Sequence, residues 1–177
     1  MALNLWKNFS SRIRRILTIL AFFLLSLIIT IAGVFTSLSR EEANDINSEL
    51  EKIRQNINTQ LIFGNNFMIS LIMFVPIIGP IFGFYALYNT GVAIAAQSIG
   101  EGIHPLTVFL FLFIFPPTWL EFIAYSTAIA ESFWLAWRII KHKGKKEIVN
   151  TCILISICAV MLLIAAIIEI ALITYLM

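Results

Sequence analysis

Residues 16–35 read ILTILAFFLLSLIITIAGVF, twenty residues without a charge, and they decide the fold class. A helix needs about 20 apolar residues to cross the hydrocarbon core of a bilayer. Residues 148–168 form a second uncharged apolar run of the same kind. The stretch at 16–35 is longer than the apolar region of a signal peptide, which has about 7–15 residues. We therefore predict that it is retained as a first transmembrane helix.

The composition of the whole chain agrees with a membrane protein. Of 177 residues, 60% are hydrophobic and 12% are charged, whereas soluble domains contain about 25% charged residues. The sequence therefore predicts an all-α, polytopic transmembrane helix bundle of about five spans, with helices broken by proline and glycine. It leaves no room for a soluble catalytic domain.

Changes in polarity divide the chain into four parts. Residues 1–15 are predicted to be a cytoplasmic interfacial segment, because apolar and basic residues alternate in them. Residues 16–35 form the first span, residues 36–60 an external amphipathic polar helix, and residues 61–177 the transmembrane core.

The distribution of lysine and arginine predicts the orientation. Nine of the twelve basic residues lie in two clusters, at 7–15 and 138–146, whereas residues 40–54 contain five acids against three bases. Basic clusters mark the cytoplasmic side, so we expect a multi-pass cell-membrane protein with a cytoplasmic N-terminus and an external C-terminus. Whether residues 104–115 form a full span or a re-entrant segment stays open.

Proline and glycine interrupt the apolar core at several places. Proline inside a helix removes a backbone hydrogen bond, and in lipid the freed carbonyls must be covered by protein or by a water-filled cavity. We therefore expect helix breaks that face the bundle interior. The predicted breaks are Pro76, Gly79, Pro80 and Gly83, then Asn89-Thr90-Gly91, Gly100-Glu101-Gly102, His104-Pro105 and Pro116-Pro117.

The polar segment carries an apolar stripe at helical spacing. Ile46, Leu50, Ile53 and Ile57 follow one another at i, i+4, i+7 and i+11 between charged residues. Such a stripe is typical of a contact with a partner protein or of self-packing. An equally good interpretation is an amphipathic helix that rests on the rim of its own bundle.

Glu121, Glu131 and Glu169 fall within apolar segments, where an ionised carboxylate is costly and therefore faces the bundle interior. Tyr125, four residues after Glu121, is a candidate hydrogen-bond partner. The carboxylates either link helices, through broken backbone or asparagines, or form a proton or cation site. The predicted intramembrane polar site comprises Asn65, Asn66, Asn89, Pro116, Glu121, Tyr125 and Glu169.

No pattern in the sequence indicates catalysis. Cys152 and Cys158 lie six residues apart, on different faces of a helix, and are predicted to be small buried residues. His104 is predicted to be a structural residue of a turn. Phosphate-binding loops, nucleophile elbows and zinc-protease helices are missing from the sequence. We therefore expect no catalytic residue, cofactor or metal, no enzymatic activity and no nucleic-acid partner.

Several ordered motifs resemble those of one family. Phe63-Gly64-Asn65-Asn66, which opens a span, resembles a motif of the stage II sporulation protein M family, and Asn89-Thr90-Gly91 is similar to that family's Asn-Gly pair. Residues 116–121 are similar to its Pro-His-Gly-x-x-Glu motif, with Pro117-Thr118 in place of His-Gly. Residues 124–131 and 163–169 resemble its later helices. The resemblance covers about residues 60–177.

The resemblance implies a non-enzymatic scaffold or assembly subunit of a multiprotein membrane complex. The expected partners are the lipid bilayer and other membrane or extracytoplasmic proteins, and a homo-oligomer stays open. The alternative is a small transporter or channel subunit that uses its intramembrane carboxylates. Abundant isoleucine and scarce glutamine are compatible with a thermophilic or archaeal source.

Overall fold

The structure, a computed structural model, describes residues 10–142 and 144–176. These residues form seven α-helices and no strand, which confirms the all-α prediction. The interfacial segment expected at 1–15 lies mostly outside the described residues. The helices are α1 Ser11–Val34, α2 Arg40–Arg54, α3 Thr59–Met73, α4 Ile78–Glu101, α5 Pro105–Leu112, α6 Pro116–Ile140 and α7 Gly144–Leu176.

Local sequence signals fix most of the helix ends. The Asn58 side chain accepts a hydrogen bond from the Leu61 amide at the start of α3. At the start of α2, Ser39 and Glu42 form a capping box, in which each side chain accepts a hydrogen bond from the other residue's amide. Gly102 ends α4 in the left-handed conformation, with φ of 68°, which glycine adopts without steric strain.

The helices alternate in direction through the bundle. Helices α1, α4 and α7 run one way, whereas α3 and α6 run the other, as the contacts between their residues require. For example, Glu121 and Ser132 of α6 contact Asn66 and Val75, in that order, along the α3 segment. The start of α1, the end of α6 and the start of α7 therefore share one end of the bundle, called the basic end below. The α2 helix and the end of α7 lie at the opposite end.

Within the described residues, three helices, or up to four, are candidates for membrane spans by length and composition. Residues 12–34, 78–101 and 147–175 form helices long and apolar enough to cross a membrane. Helices α5 and α6 pass the same test together, but they meet at an angle of 88°, as in a broken span or a re-entrant loop. Helix α3 has 15 residues and extends only about 22 Å at 1.5 Å per residue. The sequence-based count of about five spans was therefore approximate.

Pro76 and the double proline interrupt the helices as predicted. The Ser132 hydroxyl donates a hydrogen bond of 2.6 Å to the Val75 carbonyl beside Pro76. The Thr118 hydroxyl donates to the Leu112 carbonyl over 2.8 Å, and the Trp119 indole donates to Phe113 over the same distance. Protein groups therefore cover the backbone that these breaks expose, as a low-dielectric environment demands.

The break predicted at Asn89-Thr90-Gly91 is wrong, because α4 continues through it. Gly91 instead lies where α4 crosses α1, and a Cβ atom there would stand 2.1 Å from the Thr30 carbonyl oxygen. A Cβ at Gly33 of α1 would meet the Tyr88 carbonyl at the same distance. Glycine is needed at this crossing for close packing.

The described core lies between α3, α4, α6 and α7. Met73, Leu87, Ile129 and Leu162 are buried there without measurable exposure or nearly so. Cys158 belongs to the same core, but Cys152 is exposed on the surface of α7. The prediction that both cysteines are buried was therefore half wrong, since their six-residue spacing places them on different faces of the helix.

Candidate functional site

A cavity of about 750 Å³ lies near the end of the bundle opposite the basic end. Helices α3, α4, α6 and α7 form its walls, and the second half of α2 lies at its edge. Its size falls within the range of small-molecule sites. Its lining residues are Leu50, Lys52, Ile53, Asn56, Ile57, Leu61, Ile62, Asn65, Asn66, Ile69, Met73, Ala86, Leu87, Thr90, Ala93, Glu121, Phe122, Tyr125 and Glu169.

Two carboxylates from different helices line this cavity. Glu121 comes from the second turn of α6, and Glu169 comes from the last part of α7. The Asn66 amide donates a hydrogen bond of 2.6 Å to one carboxylate oxygen of Glu121. The sequence offered two kinds of partner, Tyr125 and the asparagines, and the structure gives Asn66. Tyr125 lines the cavity one turn further along α6.

The carboxylates of this cavity form no ion pair with a basic residue in the part of the chain that the structure describes. Among the described residues, no lysine or arginine nitrogen lies within 4 Å of Glu121 or Glu169. Lys52 also lines the cavity, but it belongs to the exposed surface of α2 at the edge. Phe122 and Tyr125 of α6 also line the cavity. The site can therefore accept a cation or a hydrogen-bond donor.

The structure brings five of the seven predicted polar residues together. Asn65, Asn66, Glu121, Tyr125 and Glu169 all line the cavity. The other two lie outside the lining set. The exposed Asn89 donates to the Tyr85 carbonyl of its own helix over 2.9 Å, and Pro116 occupies the first position of α6.

The apolar stripe of α2 lies against the same cavity. Leu50, Ile53 and Ile57 line it, whereas Ile46 does not. The first half of α2 is fixed to the end of α4 by the fully buried Ala43 and by Asn47, whose amide donates to the Ala96 carbonyl over 2.9 Å. The first half of α2 therefore rests on the rim of its own bundle, and three of the four stripe residues border an open cavity.

A second group of charged residues joins three helices at the basic end. Arg15 of α1 donates a hydrogen bond of 2.7 Å to Glu131 of α6 and also bonds Glu147 of α7. Thr151 donates to the other oxygen of Glu131 over 2.7 Å. Glu131 is only 1% exposed. Glu131 is therefore an ion-paired link between helices, separate from the cavity.

Sequence reasoning missed most of this ionic network. Arg138 was counted in the basic cluster 138–146, but its Nε lies 3.5 Å from a Glu147 oxygen. Arg15 was counted only as a member of the cluster 7–15, and Glu147 was not considered. The available signal was Glu147 itself, the single acid within the basic segment 138–147.

The comparisons with known proteins gave one match. The model of a family described as stage II sporulation protein M matches residues 19–174, nearly the whole chain. No curated protein and no solved structure matches the chain.

Proposed function

Because this chain belongs to the stage II sporulation protein M family, we propose that it is a non-enzymatic membrane scaffold. In this proposal it is an assembly subunit of a multiprotein complex in the membrane. The partner would bind at the end of the bundle where α2 borders the cavity.

The observation that carries this proposal is the uncovered part of the α2 stripe. Ile53 is 55% exposed although it belongs to the apolar stripe of a helix in which most residues are polar. Its neighbours Glu51, Lys52 and Arg54 are exposed as well. Covering apolar surface contributes roughly 25 cal/mol per Å². A partner that covers Ile53 would therefore gain apolar contact at the centre and polar contacts at the rim, the usual arrangement of an interface.

The attachment of α2 supports the same proposal. Ala43 and Asn47 hold the first half of the helix on α4, while its second half, from Leu50, borders the cavity. A recognition element that is already ordered loses less conformational entropy on binding. The capping box at Ser39 adds local order to the same helix.

Site-specific photocrosslinking tests the scaffold proposal. Cys152 and Cys158 are first replaced by alanine, and a single cysteine is then introduced at position 53 and labelled with a benzophenone maleimide in native membranes. We expect a discrete adduct between this chain and one other membrane protein. An adduct with a second copy of this chain would instead indicate self-assembly and contradict the proposal.

The matched control places the cysteine at position 44, an exposed position in the first half of the same helix. The proposal predicts that position 44 gives little or none of the adduct found at position 53. Equal adducts at both positions, or only lipid adducts at position 53, would contradict a specific docking surface at the stripe.

A second candidate function is proton or cation transport. Glu121 and Glu169 favour it, because both line one cavity in the apolar part of the bundle and carboxylates in such places are common in ion pathways. A transport carboxylate must titrate, so Glu121→Gln would abolish flux in liposomes while the protein stays folded. Flux in the native protein that disappears in a fully stable Glu121→Gln variant would favour transport over scaffolding.

A further inference from the structure

We propose that the acidic cavity binds an amphiphilic organic amine. Its ammonium group lies beside Glu121 and Glu169, and its apolar body lies along the walls from α3 and α4. This inference goes beyond the scaffold role and does not depend on it, because it concerns the inside of the cavity and not the exposed face of α2.

The size of the cavity selects a small ligand. A volume of about 750 Å³ fits a drug-sized molecule. A transmembrane partner helix has a diameter of about 10–12 Å with its side chains, and even three of its turns would exceed this space. A small amphiphile is therefore a better occupant than a segment of a partner protein.

One part of the cavity lining is apolar and another part carries the carboxylates. This difference in polarity sets the orientation of the ligand. Ile62, Ile69 and Met73 of α3 and Ala86 and Leu87 of α4 give an apolar surface. Asn66 and the two carboxylates, Glu121 and Glu169, lie where α3, α6 and α7 meet, and the polar residues Lys52, Asn56 and Thr90 lie elsewhere in the lining. A molecule with one apolar part and one polar end matches this division.

The charges select a cation. Two carboxylates face the cavity, and among the described residues no basic nitrogen lies within 4 Å of them. Asn66 satisfies one oxygen of Glu121, so hydrogen-bond acceptors remain for an ammonium donor. Tyr125 also lines the cavity, and an aromatic ring attracts a cation within about 6 Å of its centre. An anion at this position would meet two carboxylates, whereas Lys52, the lysine of the lining, belongs to the exposed surface of α2 at the edge of the cavity.

Binding of tritiated octylamine to the purified protein in detergent tests the proposal, read by a scintillation proximity assay. We expect saturable binding that unlabelled octylamine displaces, and that octanol and octanoate of the same chain length displace at least tenfold less well. Octanol or octanoate that compete as well as the amine would overturn the assignment of the charge, and a lack of saturable binding would overturn the site.

Substitutions test the role of the two carboxylates and the role of the cavity volume separately. Glu121→Gln combined with Glu169→Gln should weaken octylamine binding at least tenfold, and Glu169→Gln alone should weaken it if the double variant fails to fold. Ala93→Phe should reduce binding by filling the cavity while both carboxylates stay in place. The control Glu101→Gln changes an exposed glutamate outside this cavity and should bind as the native protein does. Unchanged binding in the glutamine variants would contradict the proposal.

Two sources of the amine give different results in one further arm. Displacement of octylamine by dihexanoyl phosphatidylethanolamine, but not by the matching phosphatidylglycerol, would identify a lipid headgroup. Displacement by free amines alone would identify a soluble amphiphile, and both results support the proposal. Loss of the crosslink at position 53 in the glutamine variants, without any change in octylamine binding, would assign the carboxylates to a protein partner and overturn it.

Discussion

The two ends of the bundle hold glutamates in opposite ways. At the basic end, Glu131 and Glu147 both bond Arg15, which comes from another helix. At the opposite end, Glu121 and Glu169 line a cavity, and among the described residues their surroundings within 4 Å hold no basic nitrogen. Glutamates of apolar helices therefore link helices through ion pairs at the basic end, whereas at the opposite end they line a cavity. What differs is whether a second helix supplies a cation.

The first prediction concerns the sides of the membrane on which the two ends lie, and its expected effect is all or none. We expect the basic end to be cytoplasmic, because the described basic residues of both clusters lie there, namely Arg12, Arg14, Arg15, Arg138 and Lys141. In a cysteine-free background, a cysteine at position 142 should react with an impermeant maleimide only from the cytoplasmic side. A cysteine at position 44 should react only from outside. Labelling of both positions from one side would contradict the orientation.

The second prediction removes the arginine that pairs with the glutamates of the basic end. Arg15→Met leaves Glu131 buried without its partner, and breaking a buried ion pair from one side typically costs about 3–5 kcal/mol. We expect a large fall in the thermal unfolding temperature in detergent. Arg12→Met, three residues earlier and exposed, is the matched control and should leave stability nearly unchanged. Equal stability of the two variants would show that Arg15 does not hold the helices together.

The third prediction changes a carboxylate of the cavity, at the end opposite the basic end. Glu121→Leu leaves the amide of Asn66 without its acceptor, which should lower the free energy of unfolding by about 1–3 kcal/mol. Glu121→Gln keeps an acceptor oxygen and should be tolerated. Thermal unfolding of both variants checks the order, and a Gln variant as unstable as the Leu variant would show that the charge itself is structural.

The fourth prediction concerns α2, which borders the cavity. Ser39→Ala removes the hydroxyl that accepts from the Glu42 amide, and such a change typically destabilises a helix by about 1 kcal/mol. We expect faster hydrogen exchange of the first α2 amides, with exchange in α6 unchanged. Equal protection in the variant and the native protein would contradict a role for the capping box.

The same capping box gives a small dependence on pH. The hydrogen bond from the Ser39 amide lowers the pKa of Glu42 below its ordinary value near 4.5. A lowered pKa in the folded state stabilises the helix start above the ordinary value, and this stabilisation is lost as the pH falls through the lowered pKa. Glu42→Gln should remove that dependence.

Most of the polar residues that line the cavity could be predicted from the sequence. Asn65, Asn66, Glu121, Tyr125 and Glu169 were grouped because polar residues in apolar helices face the interior and gather there, and they do line one cavity. The uncharged run from Ile16 and the double proline before Thr118 also marked a true helix and a true break.

The ion pairs of the basic end and the existence of the cavity could not be predicted, because both depend on packing between helices. Arg15 and Glu131 are 116 residues apart, and no spacing within one helix indicates their contact. Gly91 resembled a helix break because the sequence does not show that α1 crosses α4 at that point. Similarly, the periodicity of the α2 stripe placed its residues on one face but gave no indication of a cavity beside that face.

A direct comparison of Glu131→Gln with Glu169→Gln tests the central claim that one end is structural and the other is an open site. Each variant removes one negative charge and keeps the shape of the side chain, and thermal unfolding in detergent measures both. We predict that Glu131→Gln loses about 1–3 kcal/mol, because charged hydrogen bonds to Arg15 and Thr151 weaken. Glu169→Gln should change stability by less than about 0.5 kcal/mol. Equal losses, or a larger loss for Glu169→Gln, would contradict the distinction between the two ends.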